Sequence, residues 1–169
     1  WSLMPPAVHQ VKVAEQNVAS VSVWTPGLYS LAEGQRPIIH VATLVRNTSA
    51  ASIELDSAAS QIGVMTAPSA PPRVVRPYHV AGTALVGAGQ TQRVDAYYAL
   101  PDGVAIGDIA GFYLSWELRT QTGASAEYTP FVRVRSPRHA HGGVGFWYPW
   151  SPYYYRPFYS PRHPRHYRR

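Results

Sequence analysis

The stretch Phe112–Arg119 sets the pattern of the chain. Phe112, Leu114, Trp116 and Leu118 alternate with Tyr113, Ser115, Glu117 and Arg119, the period-2 alternation of a strand with one face in a core. Thr91–Leu100 repeats it, with Val94, Ala96, Tyr98 and Leu100 on one side. Ile38–Arg46 (IIHVATLVR) is apolar on both faces, as expected of a central, doubly covered strand. Val8–Val13, Val18–Trp24, Ser52–Leu55, Gln61–Met65, Tyr78–Val86 and Glu127–Arg135 read as further strands, the last with Tyr128, Val132 and Val134 on one side.

Turn chemistry separates these runs. Pro26-Gly27, Glu33-Gly34, Asn47-Thr48-Ser49, Gly87-Ala88-Gly89 and Thr122-Gly123 punctuate the chain, and Pro101–Gly107 reads as a loop. Thr66–Pro72 (TAPSAPP) carries too much proline for a central strand. No window of helical length has a helical period. Seven to nine short strands at a spacing of about 8–12 residues predict an antiparallel β-sandwich over residues 8–135, ahead of a closed barrel. Trp24 and Trp116 are expected in its core.

The charge divides the chain at the same boundary. There are 15 Lys+Arg and 9 Asp+Glu. None of the acids follows Glu127, and six arginines (Arg138, Arg156, Arg162, Arg165, Arg168, Arg169) follow Ser136. Residues 1–135 therefore hold 15 − 6 = 9 bases against 9 acids, and the whole excess of +6 lies in residues 136–169. Lys12 is the one lysine, a bias that suits a GC-rich bacterial genome. Arginine, unlike lysine, stacks on rings and grips anions through two bonds.

Residues 136–169 differ in kind from the rest. They hold ten aromatic rings, six prolines, four histidines and no acid, and Ser-Pro-Arg-His recurs at Ser136–His139 and Ser160–His163. The prolines favour an extended, irregular tail, yet disordered linkers are usually poor in aromatics. The rings either pack back on the sandwich or stay exposed and bind, and exposed apolar stretches mark interaction surfaces. The second outcome is the expectation. The candidate binding residues are Arg138, Trp147, Tyr148, Trp150, Tyr153, Tyr154, Tyr155, Arg156, Phe158, Tyr159, Arg162 and Arg165. Rings and arginines together suit single-stranded nucleic acid, anionic headgroups, acidic glycans or the hot spots of a partner protein.

Other chemistry is sparse. The absence of cysteine removes disulfides, thiolate metal sites and cysteine nucleophiles. No P-loop, Gly-x-Ser-x-Gly, His-Glu-x-x-His or dinucleotide fingerprint occurs, and Val86-Gly87-Ala88-Gly89 is a turn between strands. Glu54 and Asp56 read as a solvated edge. His139/His141 and His163/His166 sit among arginines with no acid to complete a metal site. No cofactor and no metal are expected. His40 reads as a hydrogen-bonded structural histidine, and nothing in the spacing demands that His40, His79 and Asp95 meet. Asn47-Thr48-Ser49 fits a glycosylation sequon, but a strand-ending turn is preferred. No apolar run approaches the length that spans a bilayer.

Five segments carry a resemblance. They are Arg46-Asn47-Thr48-Ser49, Ile53-Glu54-Leu55-Asp56, Gly89-Gln90-Thr91-Gln92-Arg93-Val94, Tyr98-Ala99-Leu100-Pro101 and Leu114-Ser115-Trp116-Glu117-Leu118. In this order they resemble the immunoglobulin-like β-sandwich modules of bacterial secreted proteins and lipoproteins. Ala88-Gly89-Gln90 departs from the Pro-Gly those modules usually carry before the Thr. The resemblance implies an immunoglobulin-like sandwich without catalytic residues, in an extracytoplasmic accessory or adhesion-like protein. A start at Trp1 fits a removed leader or a shortened chain, and export to the periplasm or cell surface is the expectation. The leading reading is a non-enzymatic accessory or assembly subunit whose tail docks on a partner protein or the envelope. The alternative is a polyanion- or nucleic-acid-binding protein acting through the same tail. A small hydrolase, lacking any motif, comes third.

Overall fold

A computed structural model describes residues 6–30, 35–67, 69–134 and 146–149; for 133–134 and 146–149 this is the backbone alone. The protein is an all-β sandwich, two antiparallel sheets packed on one core. Its strands are β1 (Ala7–Val13), β2 (Gln16–Tyr29), β3 (Ile38–Asn47), β4 (Ile53–Leu55), β5 (Gln61–Met65) and β6 (Arg73–Val75), then β7 (His79–Gly82), β8 (Leu85–Val86), β9 (Thr91–Ala99), β10 (Gly111–Thr120), β11 (Gly123–Val134) and β12 (Phe146–Pro149). The first sheet runs β1-β2-β3-β9-β7. The second runs β12-β11-β10-β4-β8, with β5 on β10 and β6 on β5.

Alternation builds the core between the sheets. β10 contributes Phe112, Leu114, Trp116 and Leu118, all buried, and β9 contributes Val94 and Tyr98. β2 and β3, in the same sheet as β9, bring Val21, Val23, Ile39, Val41 and Val45 against β10, and Phe112 stacks on Phe131 at 4.6 Å. Buried polar groups are matched. Trp116 Nε1 donates to Thr129 Oγ1 over 3.1 Å, and the Tyr98 hydroxyl meets Ser60 Oγ at 2.6 Å. Burial, against that bond, pushes the Tyr98 phenol up to about 12.

Several boundaries differ from the expectation. Pro26-Gly27 does not stop β2; the strand continues to Tyr29 through a bulge between Trp24 and Gly27. Tyr78–Val86 is two strands in different sheets, β7 on β9 and β8 on β4. Gly82 marks the break, with φ +101° and the Arg93 carbonyl where a β-carbon would sit, so any side chain would collide. β11 begins at Gly123, and Tyr128 and Val132 lie on its exposed side, while Thr129 and Phe131 face the core. Trp24 is half-buried on the outer face of the first sheet, not in the core.

The hydrophobic pattern predicts a sandwich that ends at residue 135. Across that boundary β12 adds an edge strand, with Phe131↔Pro149, Val132↔Tyr148, Arg133↔Trp147 and Val134↔Phe146. Pro149 costs little at an edge, because one side of the strand needs no donor there.

Asn47 closes the end of β3. It is 1% exposed; its amide donates to the carbonyls of Ala51 (2.7 Å), Val86 (3.0 Å) and Gly87 (3.0 Å). Its Oδ1 accepts from the Ser49 amide and hydroxyl, both at 2.8 Å. The residue is the turn former expected, tying β3 to the β4 and β8 loops, and its amide is too enclosed to accept a glycan in the folded chain.

Candidate functional site

Of the twelve residues the sequence singled out, Trp147 and Tyr148 lie in β12, at register positions opposite Arg133 and Val132. Arg138, Trp150, Tyr153, Tyr154, Tyr155, Arg156, Phe158, Tyr159, Arg162 and Arg165 lie outside the described residues, as do His139, His141, His163 and His166. What the structure adds is the surface to which that segment is joined.

β12 runs antiparallel to β11 on the edge of the second sheet, with Pro149 opposite Phe131. The outer face there is apolar. Tyr113 lies across Gly63, whose missing side chain makes room for the ring, and it meets Tyr128 at 4.8 Å. Val132, Val74 and Tyr128 are exposed around this pair. Further along the same face come carboxylates. Arg119 bridges Glu117 (2.7 Å) and Asp56 (2.5 Å), and Glu54 sits opposite Arg119 in the register. Three acids surround one arginine, leaving this end of the face net negative.

The outer face of the first sheet holds a cluster that the sequence left open. His40 on β3 pairs Asp95 on β9 at 2.7 Å, and Asp95 also accepts two bonds from Arg93, at 2.8 and 2.7 Å. Burial pushes the Asp95 carboxyl up, but the hydrogen bonds from Arg93 and His40 outweigh it and hold the group below the usual range. Tyr97 stacks on His40 at 4.5 Å and meets His79 at 5.5 Å. Arg93 lies over the Trp24 ring at 5.4 Å. So His40 and Asp95 do meet, while His79 joins only through Tyr97. Period-2 parity was the available signal: His40, Asp95 and Tyr97 all fall on the non-core side of their strands. Cross-strand register, which the sequence does not display, brings them together. Among the described residues no group of three metal-ligating side chains forms. Arg93 fills the space beside Asp95, so the cluster is a closed ion pair and not a cation site.

A third constellation has the order carboxylate, imidazole, hydroxyl. Glu127 lies 3.8 Å from His9 Nδ1, and His9 Nε2 lies 2.9 Å from Thr129 Oγ1. Burial lowers the His9 pKa, opposed by Glu127. With the imidazole neutral, the Thr129 hydroxyl donates to Nε2 while accepting from Trp116. Thr129 is fully buried, so no substrate reaches its oxygen. The line clamps β1 to β11 and does not form a nucleophilic site.

No family model, curated protein or solved structure matches the chain. Function therefore rests on these surfaces. No helix among the described residues is long and apolar enough to cross a membrane.

Proposed function

We propose that this protein is a non-enzymatic accessory or assembly subunit that works outside the bacterial cytoplasm, in the manner of the immunoglobulin-like envelope modules its sequence resembles. The sandwich is the carrier, and the Arg/aromatic segment after β11 is the binding element, docking on a partner protein at the cell envelope. One observation carries this reading: the charge-neutral part of the chain ends just after β11, and all six excess arginines and ten rings follow it. Tyr, Trp and Arg are the side chains that dominate protein–protein hot spots. β12 gives the segment a fixed root on the sheet edge, which lowers the ordering cost of binding.

Photo-crosslinking in the full chain tests this. A benzoylphenylalanine at Tyr154 or Phe158 should capture one discrete envelope protein, and the same probe at Thr91 should not. With the probe at Phe158, replacing Tyr153, Tyr154 and Tyr155 by Ala should abolish capture. Capture from Thr91 alone would overturn the reading. So would tight binding of single-stranded DNA with a steep salt dependence, the mark of phosphate neutralisation.

A further inference from the structure

We infer that the outer face of the second sheet is the intramolecular dock of the chain's own C-terminal segment, residues 150–169, so that a partner must displace the segment to engage it. The inference rests on the reading of that segment as the binding element and names the surface that competes for it.

Direction comes first. β12 pairs antiparallel to β11 and ends at Pro149 beside Phe131. In the direction in which β12 runs, the edge of β11 continues through Pro130, Tyr128 and Ala126 to Ala124, the first three paired with Tyr113, Ser115 and Glu117 on β10.

Order comes second. Travelling that way, the face presents Val132, Tyr113 and Tyr128 first, then Glu117, Glu54 and Asp56 around the single Arg119. The segment carries Trp150, Tyr153, Tyr154 and Tyr155 before Arg156, then Phe158 and Tyr159, then Arg162, Arg165, Tyr167, Arg168 and Arg169. A segment with seven rings, five arginines and no acid thus complements an apolar face that ends net negative.

Length comes third. Arg156 is seven residues beyond Pro149, and Ala124 is seven residues before Phe131. At about 3.1–3.4 Å per residue both steps span roughly 22–24 Å, so an extended segment is long enough by Arg156 to reach the carboxylates beside Arg119. Tethering at β12 raises the local concentration of the segment to roughly the millimolar range, so weak contacts suffice to hold it in place.

The chain has no cysteine, so Ser160→Cys takes a single nitroxide label. In the full-length, nitrogen-15-labelled protein, amide signals of Ser115–Arg119 and Glu54–Asp56 should broaden at least threefold more than those of Thr91–Ala99 on the other sheet. Raising salt to about 0.5 M, where charges are screened within a few Å, or introducing Glu54→Gln with Glu117→Gln, should remove most of the difference while the remaining spectrum keeps its dispersion. Equal broadening of both sheets, or none, overturns the inference. So does broadening that appears only when spin-labelled and isotope-labelled copies are mixed, since the segment then docks on another molecule. Partner capture by crosslinking is read separately. Its loss with the nitroxide pattern intact would sink the functional reading, and its presence with no pattern would sink the dock alone.

Discussion

At the scale of single residues, three side-chain environments make measurable claims. The β1–β2 hairpin turns on Ala14 and Glu15, both with positive φ (48° and 64°). A two-residue turn of that kind prefers Asn-Gly, so Ala14→Asn with Glu15→Gly should raise unfolding stability by about 1 kcal/mol, read from the denaturant midpoint. Asn47→Ala should cost on the order of 3 kcal/mol, because the carbonyls of Val86 and Gly87 lose their buried donor. His9 sets a pH dependence. Its folded pKa lies below the ordinary 6.5, so the unfolded chain binds the extra proton first. Stability is therefore full above 6.5, falls as pH drops through that value, and levels off below the folded pKa. In His9→Gln the fall should flatten, as followed by thermal melts between pH 7.5 and 5. A wild-type melting temperature that rises on acidification would contradict the clamp.

At the scale of elements, the alternating strands were legible because one face is wholly apolar. Phe112–Leu118 and Val94–Leu100 read directly as core, and β3 is central as its apolar run predicts, but it is covered on one face only, with Leu44 and Arg46 exposed on the other. What pattern could not convey was pairing. Tyr78–Val86 reads as one strand, yet Gly82 sends its halves to opposite sheets. Trp24 reads as core because tryptophan usually is, but β2 parity places it outward, where Arg93 covers it. The His40–Asp95 pair joins positions 55 apart, a separation that only the β3–β9 register closes. Tyr128 and Val132 mark the converse: an apolar side of β11 that faces out, beside the root of β12. At Gly82 the consequence is testable. Gly82→Ala places a methyl against the Arg93 carbonyl at φ +101° and should cost more than about 2 kcal/mol, lowering the urea midpoint. A neutral effect would mean that the crossover does not depend on that glycine.

At the scale of the whole molecule, a body with no net charge carries a segment with all of it. The two parts need each other differently. The core lies between the sheets and draws on β1 to β11, whereas β12 is a four-residue edge strand. Removing residues 150–169 should leave the core intact and take away the ligand-binding chemistry. The most direct measurement compares the full chain with one ending at Pro149, by thermal unfolding and by crosslinking from a benzoylphenylalanine at Trp147. Both chains should unfold cooperatively, with melting temperatures within about 5 °C, a shift of roughly 1–2 kcal/mol for a domain of this size, and only the full chain should capture its partner. Loss of cooperative folding in the shortened chain, or undiminished capture by it, would contradict the division of the protein into a self-sufficient sandwich and a binding arm.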